Sequence, residues 1–240
     1  MDTPAPSPAG SAASVPIGDI LVRRARESGR QSSIHWRAHG DDHALSYGSL
    51  AAASTRTAQA FAGTLSAGDR VAVWARNTLE WVVIEYACAL SGMVLAPFDI
   101  GWTDDEVARA VRLTAPTLLF CGRDASGERL DARAQLLGGG TQVIDIRTLP
   151  GWVSEQRPAP LPDVSVADPF LGRVAFGGDG SADVVTMDHA SALERAYRTH
   201  PRESSEAGAA VEVGPFHDVH VNCAIVLGSL VTGGAFVLSA

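Results

Sequence analysis

Lysine is absent from this chain of 240 residues, whose basic complement is 19 arginines. Every permanent side-chain cation is therefore a guanidinium, and a site that needs an ammonium against a phosphate has no residue to supply it. Cysteine is scarce: Cys88, Cys121 and Cys223 form an odd, scattered set, which excludes a disulfide framework and reads as reduced thiols of the cytoplasm. Positive charge is in deficit. A formal net charge of −8 argues against nucleic acid or an anionic membrane as partner. Long apolar runs are missing except from Val221 to Ala240, and there Gly233-Gly234 separates a piece suited to a helix (221–231) from one suited to a strand (235–239). A buried helix–strand pair is expected there, not a membrane anchor.

What is present is an ordinary core-forming composition, 46% apolar and 19% charged. Residues 1–16 are rich in Pro, Ala and Ser without a basic start or an apolar block, and read as a disordered leader. An amphipathic helix is expected over 17–28, with Arg23, Arg24 and Arg26 on its solvated side, then a hairpin around Gly40-Asp41. Leu50, Ala53, Thr57, Phe61 and Leu65 recur at helical spacing over 47–65, and Gly68-Asp69 turns the chain into a strand at 70–74. Asn77 and Glu80 read as a capping box for a helix over about 78–91 that is apolar nearly all round, and Thr103 with Glu106 as a second box. Strands at 93–97, 117–121 and 142–146 complete an alternation of strand and helix.

That alternation predicts an α/β fold of mostly parallel sheets flanked by helices. Pro150, Pro158, Pro160, Pro162 and Pro169 mark a crossing, and beyond it come a strand at 170–176, a Gly-rich turn, a helix near 188–199 and a polar loop at 200–210. The expected organisation is a first α/β subdomain at 17–149, a Pro-rich crossing at 150–167 and an incomplete second α/β subdomain at 168–240.

The runs Leu45-Ser46-Tyr47-Gly48-Ser49-Leu50, Gly68-Asp69-Arg70-Val71-Ala72-Val73 and Asn77-Thr78-Leu79-Glu80-Trp81 resemble the adenylate-forming (AMP-binding) superfamily. That group includes acyl-CoA synthetases, peptide-synthetase adenylation domains and luciferases. Ala89 to Pro97 and Asp104 to Phe120 continue the likeness. The resemblance implies the N-terminal part of an adenylate-forming large domain, and relatives about twice as long. Their adenine-contacting segment, ribose-binding aspartate, hinge and small C-terminal domain would lie beyond Ala240.

The superfamily's phosphate loop aligns with Val174 to Val185. Gly177 and Gly180 stand where it has glycines, and His189 is similar to its helix-start histidine. Ala175, Phe176, Gly178 and Asp179 occupy positions of hydroxyl residues; Ala182, Asp183 and Val184 replace its proline, lysine and glycine. Gly177, Gly178, Asp179, Gly180 and Asp183 are thus the equivalents of a degenerate phosphate site. A carboxylate ~5 Å from a phosphate charge costs about 3 kcal/mol at an effective dielectric of ~20, before screening. No cofactor is expected on this reading, ATP and magnesium belonging only to the alternative below.

Gly214-Pro215-Phe216-His217 and Leu230 to Leu238 resemble the segment that lines the carboxylate pocket of relatives, which makes Phe216 and His217 pocket candidates. His217, His220 and Cys223 share an H-x-x-H-x-x-C spacing, read here as separate structural roles, with no metal site expected.

The reading that follows is a catalytically inactive, truncated relative of these ligases. It is cytoplasmic and acts as a binding or scaffold partner, through a protein partner or self-association. The alternatives are one half of a split adenylating ligase completed by another chain, a carrier or sensor for a small carboxylate, or a remnant without a role.

Overall fold

The computed structural model describes residues 14–38, 40–124, 126–137, 140–200, 211–212 and 214–238. The leader up to residue 13 and the polar loop over 201–210 lie outside the described residues.

The elements run α1 (Ile17–Ser28), β1 (Ser32–Ala38), β2 (Asp41–Ser46), α2 (Tyr47–Thr64), β3 (Arg70–Trp74), α3 (Leu79–Ser91), β4 (Val94–Pro97), α4 (Asp104–Thr114) and β5 (Leu118–Cys121). They continue with α5 (Leu130–Leu136), β6 (Gln142–Asp145), α6 (Leu149–Glu155), β7 (Pro169–Phe176), β8 (Ala182–Asp188), α7 (His189–Thr199) and β9 (Val211–Glu212). A short helix α8 (Val219–Asn222), a π-helical segment (Cys223–Leu227), α9 (Gly228–Thr232) and β10 (Phe236–Leu238) close the chain.

The larger sheet has the order β6-β5-β3-β4-β7-β8, parallel throughout except for the β7–β8 hairpin. The smaller has the order β2-β1-β10-β9, in which β1 pairs in parallel with β10 some two hundred residues away. Both sheets draw strands from before and after residues 150–167. Strand alternation divides the core. Val71 and Val73 of β3, with Leu118 and Phe120 of β5, face one cluster that contains α1, α2 and α3 and reaches Ile34 and Phe236 of the small sheet. Ala72 and Trp74, with Leu119 and Cys121, face the opposite cluster under α4 and α5. Both faces of the large sheet are therefore covered, as mostly parallel strands require.

Several local expectations need correction. The cap of α3 is Thr78, whose hydroxyl accepts from the Trp81 amide at 3.2 Å, and not Asn77. Arg24 is not part of a solvated face: it donates to the carbonyls of Leu230 (3.3 Å) and Val231 (2.9 Å), in the last turn of α9, where a cation meets the negative end of the helix. The start of the expected crossing is helical, because Pro150 lies in the first turn of α6, where a missing N–H costs nothing. The rest of the crossing is seated on α2: the Ala159 amide donates to Gln59 O at 3.0 Å, and a Cβ at Gly63 would collide with the Arg157 carbonyl. β8 stands where a turn was expected. The apolar tail is a helix–strand pair packed in the core, and among the described residues no helix is long and apolar enough to cross a membrane.

Two buried titratable groups oppose each other in pH. Glu85 is fully buried in α3; one carboxyl oxygen accepts from Asn222 Nδ2 at 2.9 Å, and the other has no partner among the described residues. Burial pushes its pKa up to about 8, against the lowering effect of the Asn222 bond. His189 is buried at the start of α7, accepts from the Ile17 amide at 3.3 Å, and is pushed down to about 4 by burial.

The folded state thus holds a proton on Glu85 that the unfolded chain releases above about 4.5, so this stability is lost as pH rises through about 8. It holds His189 neutral, so that stability is lost as pH falls from 6.5 through about 4. Glu85→Gln is expected to raise the melting temperature by about 5 °C at alkaline pH and to change it little near pH 5. His189→Asn is expected to flatten the acid limb of the same pH–stability curve; melting curves across the range check both.

Candidate functional site

The degenerate loop is the turn of the β7–β8 hairpin, whose last cross-strand pair is Phe176 opposite Ala182. Gly180 takes a φ of +82°, which only glycine adopts without strain. The turn satisfies itself. The Gly177 amide donates to Ser181 O at 2.9 Å, the Gly180 amide to Gly177 O at 3.0 Å, and the Ser181 amide to Asp179 Oδ1 at 2.9 Å. A Cβ at Gly177 would run into Ser181 Oγ and into the Asp179 carboxylate, which shows how closely that carboxylate folds over the turn. Hydrogen bonds from the Ser181 hydroxyl and then its amide hold the Asp179 carboxyl below the usual range. Asp179 therefore sits as an internal anion on an amide that an external phosphate would need.

Asp183 follows on β8, exposed, its Oδ1 accepting from the Val184 amide at 2.8 Å. Gly178 is exposed at the tip. One cation does reach the loop, and sequence reasoning missed it. Arg109 of α4 donates to the Gly180 carbonyl at 2.7 Å and lies over the Phe176 ring at 5.3 Å, while Trp102 packs edge-on to the same ring at 5.1 Å. Arg109 is 71 positions away in sequence, and no local pattern marks it. Its bond is to a carbonyl, so it braces the turn.

The pocket candidates lie elsewhere. Phe216 is buried, packed on Trp81 at 5.3 Å and Phe236 at 6.2 Å between ring centroids. His217 approaches Asp99 with its Nε2 3.3 Å from Oδ1. Asn77 organises this segment: its amide donates to Gly214 O and accepts from the Phe216 N–H, both at 2.8 Å, clamping the chain 139 residues away. His220 pairs with Arg195 and Cys223 is buried, so the H-x-x-H-x-x-C residues point to three different settings. Among the described residues no group of three or more His, Cys, Asp or Glu is placed to hold a metal.

The sequence matches the AMP-binding enzyme family over residues 21–239. The chain belongs to that family. No curated protein matches it in sequence. Among solved structures it is similar to VinN in complex with 3-methylaspartate, at 18% identity and a TM-score of 0.77, covering 94% of this chain and 62% of that one. It is also similar to the inhibitor-bound N-terminal domain of FACL13 from Mycobacterium tuberculosis, at 19% identity and a TM-score of 0.76, covering 92% of this chain and 56% of that one. The Klebsiella oxytoca NpsA N-terminal subdomain with 3-hydroxybenzoyl-AMSN gives 18%, 0.72, and coverage of 93% and 53%. At such identities the likeness is one of fold.

The fold family implies ATP and magnesium, and the loop residues do not fit a triphosphate. The Ser181 amide is taken by Asp179, Asp183 adds a second exposed carboxylate, and Arg109 is turned to a carbonyl. Asn77→Ala removes both anchors of the Gly214–Phe216 segment and is expected to destabilise the chain by about 1–3 kcal/mol, measured by urea unfolding. Faster amide exchange at Phe216 without a change at Trp81 would separate loss of the clamp from loss of the α3 cap.

Proposed function

We propose that this chain is a non-catalytic member of the AMP-binding enzyme family that works by binding, as a cytoplasmic scaffold for a protein partner or for a second copy of itself. The observation that carries the reading is the Asp179 carboxylate on the Ser181 amide, in the loop where relatives are expected to hold phosphate. An anion already bonded there opposes a second anion by charge and by occupancy of the donor. The missing lysine supports it further, since Asp183 stands at that position in the resemblance.

A second reading, half of an adenylating ligase completed by another chain, is favoured by one fact: the chain spans 62% or less of the solved relatives described above. Calorimetry with MgATP is expected to give no binding to the unaltered chain up to about 1 mM, whereas tight, magnesium-dependent uptake overturns the non-catalytic reading. ATP–pyrophosphate exchange with and without a candidate complementing chain separates the two readings. Light scattering after size exclusion is expected to find a dimer or larger species at tens of micromolar, and a clean monomer removes self-association from the proposal.

A further inference from the structure

We infer that the cleft between the β7–β8 hairpin and helices α7 and α8 is an oxyanion site for a phosphate group, free or as a small organic monoester. The cleft encloses 300 Å³ and is lined by Arg173 of β7, Arg195 of α7, Thr186, Ser191 and His220, with no carboxylate among its lining residues. Arg173 lies four residues before the degenerate turn, about 13 Å along the strand, so this cleft is separate from the loop.

In a chain of net charge −8, two arginines line one cavity that has no carboxylate among its lining residues. Of the neighbouring acids, two are held by residues of the lining and the third by an arginine outside it. Asp188 accepts from the Ser191 amide at 2.7 Å, Asp218 from the His220 amide at 2.8 Å, and Glu194 faces Arg198 at 3.7 Å. The Arg173 side chain is exposed and has no hydrogen bond or ion pair among the described residues.

The second cation also fixes a donor. Arg195 Nη1 lies 2.5 Å from His220 Nδ1; since a guanidinium only donates, Nδ1 accepts and the ring proton of the neutral imidazole sits on Nε2. The residues lining the cleft therefore carry guanidinium N–H groups, the Thr186 hydroxyl and an imidazole N–H, contributed by the hairpin and two helices, while the Ser191 hydroxyl is engaged by Asp188. Donors drawn from several elements, with two positive charges, suit a tetrahedral dianion better than a planar monocarboxylate. Leu171 and Val219, with the half-exposed Val185, form an apolar wall for the organic part of an ester.

Titration calorimetry at constant ionic strength with inorganic phosphate, phenyl phosphate and benzoate tests this on the full chain. Phosphate is expected to bind with a Kd on the order of 1 mM. Tighter phenyl phosphate assigns the site to an ester, and equal affinities assign it to free phosphate. Benzoate is expected to bind at least about tenfold more weakly. Arg173→Gln and Arg195→Gln should each weaken phosphate binding about tenfold or more, and Arg37→Gln, an exposed residue paired with Asp42 on the β1–β2 hairpin, should leave it unchanged.

Absence of phosphate binding up to about 20 mM overturns the inference, as does benzoate equal to phosphate, or affinity unaltered in Arg173→Gln. Should Arg195→Gln fail to fold, the exposed Arg173→Gln still decides the question. MgATP uptake at the loop would leave the Arg173 result unmoved, so this test and that of the non-catalytic reading fail independently.

Discussion

Helix α3 has no wet side, and the architecture follows from the need to cover it. From Trp81 to Ser91 every residue is buried. Such a helix is stable only as the interior of a layered structure, because each exposed apolar side chain forfeits roughly 1.5–3 kcal/mol of burial. α1 and α2 cover part of it. Leu90 lies so near Gly18 that a Cβ there would sit 2.8 Å from it. The remaining side is covered by the π-helical segment: the Tyr86 hydroxyl donates to Val226 O at 3.3 Å, and Asn222 meets Glu85 just before that segment begins. The last quarter of the chain is thus required by the second quarter. Parallel pairing of β1 with β10 is the sheet-level expression of the same closure.

The buried carboxyl of this helix explains why the closure is specific. A buried, proton-bearing Glu85 costs free energy wherever it meets hydrocarbon, and less where the Asn222 amide reaches it. Sliding the π segment by a residue would separate the two and leave both side chains without partners. Fixing register is the best-attested use of such buried polar groups, whose net contribution to stability is small. The π bulge places Asn222 and Val226 toward α3 across a single irregular turn, a geometry that a regular α-helix of that length changes by the bulge's extra residue.

Legibility in the sequence tracked the range of the interaction. Helices α2 and α4 and strands β3 to β6 were readable because periodicity and capping are local; the Thr103–Glu106 box forms as expected. Thr78 displaced Asn77 as a cap because the Asn77 side chain had a distant use, at Gly214 and Phe216, that no local pattern discloses. β8 was hidden because its residues, Ala182 to Asp188, mix charge with apolar side chains, and its strand character derives from pairing with β7 across the turn. At the candidate site the identities of Asp179 and Asp183 were legible, while Arg109 and the bond from the Ser181 amide to Asp179 were products of folding. Arg24 teaches the same lesson: its helical position suggested solvent, and the carbonyls of Leu230 and Val231 claimed it.

These two scales of interaction also separate the fold from the loop. Nothing in the clusters around α3 depends on the exposed turn at 177–181, whose bonds are within itself and to Arg109. Turn amides that no external ligand engages are satisfied from within the chain. Asp179 is such a solution, since a carboxylate two residues before an amide closes an Asx-type turn with local chemistry alone. The Asp179 carboxylate thereby stabilises the turn it belongs to. At this position the bond that stabilises the hairpin uses an amide of the same turn that aligns with the phosphate loop.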